Sequence, residues 1–247
     1  MMKYIINTLG PITILAGLLL TIVSCGGPAE RIRETSARPA TPAPTPSERL
    51  ISGSFNINGA GENEREPYSG LLTIAPKGDI YEFRWTTTRG SRMGTGVQIG
   101  DSVAASFAAT GGGAGCGAVL FRIAVDGTLD GKITRWGEEK FATEKATRVE
   151  GTGFIGKYTV AGVGGDETPY SGDLTVKKDG GGYDLEWKID GRQLVGFGTW
   201  KGSVAAASFG GRQCGFALYD IRSNGNLDGN WGSQKAVTFG TETAKRQ

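Results

Sequence analysis

A passage of about one hundred residues is written twice in this chain, and the duplication limits the fold more than any other feature. Pro67-Tyr68-Ser69-Gly70 returns as Pro169-Tyr170-Ser171-Gly172 at an offset of 102, and the same register places Tyr81, Phe83 and Trp85 on Tyr183, Leu185 and Trp187. Gly94, Gly96 and Gly100 fall on Gly196, Gly198 and Gly202. Beyond the segment "AATGGGAG", which shortens to "GGRQ", the offset becomes 98: Cys116-Gly117 meets Cys214-Gly215, "DGTLDG" meets "NGNLDG", and "FATEKA" meets "FGTETA". Solenoid units run to roughly 20 to 50 residues, so this repeat is domain-sized. The expected division is one domain over 51–148 and a second over 149–247.

Within each copy the pattern is that of β-strands. "IYEFRWT" sets Tyr81, Phe83 and Trp85 on one face and Glu82, Arg84 and Thr86 on the other; "YDLEWKI" repeats the alternation, so one face is buried and one wet. Further strands are expected through 53–59, 69–76, 80–87, 92–99, 102–108, 116–124, 128–135 and 140–147, separated by turn signals such as "KGD", "IGD" and "DG". "WGEEKFATEKATR" could be helical by propensity, but its counterpart "VTFGTETAKR" has a glycine in mid-segment and is a poor helix. Forty-two glycines among 247 residues is more than twice the ordinary share of roughly 7% and suits tightly curved sheets. Eight short antiparallel strands close most simply into an up-and-down barrel with no open edge. The fold class is therefore all-β, with two tandem up-and-down antiparallel barrels of about eight strands each.

In strand count, length and aromatic placement each repeat resembles the avidin and lipocalin-like meander barrels, and the repeat pattern is similar to that of uncharacterised exported bacterial proteins. The resemblance implies the fold and carries over no binding residue.

The chain ahead of the repeats has a different character. Met1-Met2-Lys3 and the apolar stretch from Ile12 to Val23 form a signal peptide over 1–24, too short and too interrupted by Gly and Pro for a membrane span. It ends in "IVSC", which resembles the lipobox of bacterial lipoproteins. That resemblance implies cleavage before Cys25, lipidation of its thiol, and membrane attachment by several acyl chains, enough for stable anchoring. Residues 26–50 are rich in Pro, Ala, Thr and charge and read as a flexible linker reaching up to roughly 80 Å at about 3.1 Å per residue. No Asp follows Cys25, which favours the outer membrane in a cell that has two.

Histidine is absent from the whole chain, which removes the usual general base, the Ser-His and Cys-His nucleophile pairs and the commonest transition-metal ligand. "GTGVQIG" and "GFGTWKG" mimic a dinucleotide loop, but the spacing is GxGxxxG and strand follows where a helix N-terminus is needed. "DGTLDG" opens like a calcium loop, yet Gly137 stands at the twelfth position, and the second copy has Asn224 first and Lys235 twelfth; a hairpin turn is expected. No metal and no cofactor is expected. Residues 51–148 and 149–247 each hold 11 Lys plus Arg against 11 Asp plus Glu, so neither is basic enough to expect nucleic acid.

The expected function is a noncatalytic, lipid-anchored cell-envelope protein that binds a small ligand or a protein partner through its barrels. The alternative is a histidine-free envelope hydrolase using carboxylates such as Asp101, Asp130 and Asp228, or a Ser/Lys pair. Tyr81, Phe83, Trp85, Tyr183 and Trp187 are candidate pocket-lining aromatics, or else they simply fill a small barrel. Cys116, Ala118 and Leu120, with Cys214, Phe216 and Leu218, make an outward face too apolar for exposure, so the barrels are expected to pack there about a pseudo-twofold axis. Arg122 and Asp220 would then approach each other. Cys116 and Cys214 either form a disulfide, as an oxidising exterior favours, or are buried separately.

Overall fold

The computed structural model describes residues 50–63, 66–108, 115–234 and 236–247; the expected signal peptide, the expected lipidation site Cys25 and the expected linker as far as 49 lie outside them. The first repeat supplies β1 (Gly53–Ala60), β2 (Pro67–Lys77), β3 (Ile80–Thr87), β4 (Gly90–Ile99), β5 (Ser102–Ala108), β6 (Gly117–Ile123), β7 (Leu129–Arg135) and β8 (Ala142–Thr152). The second supplies β9 (Ile155–Val163), β10 (Pro169–Asp179), β11 (Gly182–Ile189), β12 (Arg192–Lys201), β13 (Val204–Phe209), β14 (Cys214–Ile221), β15 (Leu227–Ser233) and β16 (Gly240–Arg246). No helix occurs among the described residues. The ambiguous "WGEEKFATEKATR" enters β8, in keeping with its repeat partner in β16.

The strands close into two eight-stranded antiparallel barrels, but the repeats exchange strands between them. The first barrel runs β1-β2-β3-β4-β5-β14-β15-β16, with β16 pairing back to β1. The second runs β9-β10-β11-β12-β13-β6-β7-β8, with β8 and β9 joined as a hairpin. The expected division, one barrel from 51–148 and one from 149–247, is corrected by this order: each barrel takes five strands from one repeat and three from the other. The physical reason is degeneracy. The strands "CGAVLFRI" and "CGFALYDI" offer β5 nearly the same edge, so local sequence cannot choose between β6 and β14.

The exchange leaves β5, β6, β13 and β14 buried on both faces. Their inward parity fills the barrels, with Val103, Ala105, Phe107, Ala217 and Tyr219 in one and Val119, Phe121, Ala205, Ala207 and Phe209 in the other. The opposite parity packs barrel against barrel through Ala104, Leu120, Ala206 and Leu218, joined by Ile80 of β3 and Val97 of β4. The alanines at 104 and 206 keep that seam narrow. Both barrels belong to one compact unit.

The chain crosses from one barrel to the other after β5 and again after β13, and the two crossings are tied together. Cys116 and Cys214 form a disulfide, with Cα atoms 5.6 Å apart, buried beside Ala108. Equivalent residues meet there, as near a twofold axis. A bond spanning 98 residues contributes about 4–5 kcal/mol in the loop-entropy account.

The glycine motifs serve packing. A Cβ at Gly94 would strike the Ser106 carbonyl and one at Gly96 the ring of Phe83, and Gly196 has the same crowding from Ser208 and Trp187. These positions seat the aromatic rings of the neighbouring strand, and no dinucleotide loop is formed.

Candidate ligand site in the first barrel

β16 alternates strictly, with Gly240, Glu242 and Ala244 buried and Thr241 and Thr243 exposed, so the pleat itself carries a carboxylate into the barrel. Glu242 lies in register with Gly59 of β1 on one side and Gly229 of β15 on the other. Each glycine is in turn opposite a tyrosine, Tyr68 of β2 and Tyr219 of β14. With no side chain beneath them, both tyrosine rings lie across the glycines and reach the carboxylate. Tyr68 Oη donates to Glu242 Oε2 at 2.7 Å and Tyr219 Oη to Oε1 at 2.6 Å. Trp85 Nε1 on β3 adds a third donor at 3.2 Å to Oε1.

Burial pushes Glu242 above its ordinary range, against the opposing pull of the bonds from Tyr219, Tyr68 and Trp85 and the charge of Arg92. Burial, followed by the nearby carboxylate, also raises both tyrosines, which therefore remain neutral donors. The cluster satisfies a buried acid whose desolvation would otherwise cost several kcal/mol.

The second barrel carries the same row with one change. Glu144 of β8 is flanked by Gly162 and Gly131, and Tyr170 and Phe121 lie over those glycines. Tyr170 Oη and Trp187 Nε1 donate to Glu144 at 3.1 and 3.0 Å, but Phe121 has no hydroxyl to give. Burial raises Glu144 as well.

Beside the Glu242 cluster, a cavity of about 290 Å³ opens into the first barrel. Tyr68, Trp85, Phe107, Tyr219 and Trp231 form its aromatic wall, and Glu62, Arg89 and Arg92 border it. Arg92 is half-buried, its guanidinium carbon 5.0 Å from the ring centre of Phe107 and 5.3 Å from that of Trp231. At the repeat-equivalent positions of the second barrel stand Leu194 for Arg92, Ile133 for Trp231, Phe121 for Tyr219 and Gly191 for Arg89. Leu194, Ile133 and Phe121 belong to that barrel's apolar core.

Of the residues singled out from sequence, Phe83, Trp85 and Trp187 are buried inside their barrels, and Tyr81 and Tyr183 pack half-buried against those cores. Phe83 stacks under Trp85 at 5.5 Å and fills the interior, whereas Trp85 lines the cavity. The expected approach of Arg122 to Asp220 is corrected: Asp220 pairs with Lys201 of the other barrel at 2.6 Å, and Arg122 lies beside Gly100 in the β4–β5 turn. The pseudo-axis passes through the cysteines, so residues six positions beyond each diverge to opposite sides. Asp101, Asp130 and Asp228 sit at a β4–β5 turn, on β7 and on β15 respectively, with Asp130 in the second barrel and the others in the first. Asp126 and Asn224 cap turns by accepting from the backbone N–H of Thr128 and Asn226. Among the described residues no group of three His, Cys, Asp or Glu side chains could hold a metal ion.

Sequence reading missed Glu242, Glu144, Tyr68, Tyr219, Arg92 and Trp231 as site residues. A signal existed in the letters that repeat: the tyrosine of PYSG and the glutamate shared by "FATEKA" and "FGTETA" are the two ends of one hydrogen bond in each barrel. No protein-family model, no curated protein and no solved structure matches the chain.

Proposed function

We propose that the protein is a noncatalytic binding protein of the cell envelope, anchored through lipidated Cys25 and the linker that follows, which receives a small ligand in its first barrel. The observation that carries this reading is the asymmetry of the repeat: two barrels share a framework, yet the first has arginine, tryptophan and tyrosine around an open cavity where the second has the apolar Leu194, Ile133 and Phe121. A barrel kept for support alone has no use for that exchange. In this reading the second barrel is the support, tied to the first by exchanged strands and the disulfide.

The reading is tested by a thermal-shift screen of small envelope metabolites against the native chain and against Thr87→Trp, which plugs the mouth at a half-buried position of the cavity wall. Compounds that raise the unfolding midpoint of the native chain should lose that effect in Thr87→Trp. Hits that survive the plug, or a screen without hits, would remove the cavity as the site. Intact-mass analysis of the native N-terminus checks the anchor: an unacylated terminus or cleavage away from Cys25 would refute it.

A further inference from the structure

Four charged side chains border the cavity, and three are already engaged by the protein. Both oxygens of Glu62 accept from Ser233, one from its hydroxyl at 2.6 Å and one from its backbone N–H at 2.8 Å. Both oxygens of Glu242 are held by Tyr68, Tyr219 and Trp85. Arg89 donates to the Glu66 carbonyl. Arg92 is different: its guanidinium carbon sits 5.0 Å from the ring centre of Phe107 and 5.3 Å from that of Trp231, in the corner these two edge-to-face rings make, and it has no hydrogen bond or ion pair with any described residue.

A half-buried guanidinium has five N–H donors in a fixed plane and is costly to leave without acceptors. The two rings meet edge to face, 6.0 Å between centres, and seat the guanidinium in an aromatic corner of the cavity wall, where an anion in the cavity would supply acceptors for its donors. Burial lowers the affinity of Arg92 for its own proton, a penalty that a bound anion would offset. The fork matches a carboxylate bidentately. A dianion such as a phosphate monoester would face Glu62 and Glu242 across the same space, whereas a single negative charge is balanced by Arg92. The remaining wall is aromatic, and the volume lies at the lower end of small-molecule sites.

The second barrel provides a contrast. Arg135 also lies over the equivalent ring, Phe209, at 5.0 Å, but it comes from β7, two strands away from Phe209 on β13, and is exposed, while Leu194 takes the place of Arg92. A cation over that ring is thus common to both barrels; a cation drawn inside is not.

We infer that the first barrel takes a small organic monocarboxylate, its carboxylate on the Arg92 guanidinium and its flat apolar body against Tyr68, Trp85 and Trp231. The inference rests on the cavity being a ligand site, and the experiment separates the two. Benzoate, 2-naphthoate and indole-3-carboxylate are titrated calorimetrically into the full chain, each beside its neutral amide. At least one acid should bind saturably and its amide about ten or more times more weakly. Arg92→Leu, which copies the second barrel, should lower the acid's affinity by about ten- to a hundredfold, toward that of the amide. Equal binding of acid and amide, or an acid indifferent to Arg92→Leu, overturns the carboxylate assignment and leaves a binding site of another specificity. The acid-to-amide comparison needs no variant and stands even if Arg92→Leu folds poorly. No saturable binding by any acid also overturns the assignment, and the thermal-shift screen then decides separately whether the cavity binds anything.

Discussion

The two barrels share their strand plan, their Tyr-Gly-Glu-Gly row and their tryptophan donor, yet they have parted at a handful of interior positions. In the second, Phe121 closes the row and Leu194 and Ile133 complete an apolar core. In the first, Tyr219 supplies a further hydrogen bond to the buried acid, and Arg92 and Trp231 stand where aliphatics would. The lesson is that the framework and the cavity are separable. The glutamate with its PYSG tyrosine and its tryptophan donor is structural, being present in both, while the arginine, the Trp231 indole and the Tyr219 hydroxyl are additions to one.

The largest test of that comparison removes the link between the barrels. Cys116→Ala with Cys214→Ala should cost about 2–5 kcal/mol in denaturant unfolding. Because every barrel contains strands of both repeats, amide exchange should report loss of protection in both together. Loosening confined to one barrel would show that the strand exchange does not couple them.

A smaller effect is expected from making the rows alike. Tyr219→Phe removes one of three donors to Glu242 and should destabilise by about 1–2 kcal/mol. The mirror change, Phe121→Tyr, adds a hydroxyl beside Glu144 and should shift stability by less than about 1 kcal/mol. Equal and negligible effects of both would mean that the third donor contributes nothing.

The finest comparison is a slope with pH. Burial raises Glu242 and Glu144 above the ordinary value of 4.5, so the folded protein keeps these protons longer than the unfolded chain does. Their contribution is complete below about pH 4.5 and is lost as pH rises through the raised values. Stability should therefore decline over that range, and Glu242→Gln or Glu144→Gln should each flatten it. Glu144, with two donors against three and no arginine charge opposing its burial, should titrate above Glu242 in carboxyl NMR. The reverse order would place the controlling difference outside the hydrogen bonds.

Most of the framework was legible. The alternation in "IYEFRWT" located β3 and its buried face, and turn glycines bounded strands that the structure places within a few residues of expectation. The outward apolar parity of Ala118, Leu120, Phe216 and Leu218 correctly marked the seam between barrels. The site was harder to see. Glu242 read as one more acid on a strand, because its importance depends on glycines two strands' width apart that let tyrosines lie over them. Arg92 carried no local mark at all; its neighbours Phe107 and Trp231 are 15 and 139 positions away in the chain.

By itself, the sequence determined the duplication, the sixteen strands and which residues of each face inward, because these follow from period-two alternation and turn chemistry within a few residues. Tertiary structure alone decided that β5 pairs with β14 and β13 with β6, because two nearly identical edges compete for each and no local preference separates them. That choice also assembled the cavity. Tyr68, Trp85 and Arg92 come from the first repeat, Tyr219, Trp231 and Glu242 from the second, and only the exchange puts them in one barrel.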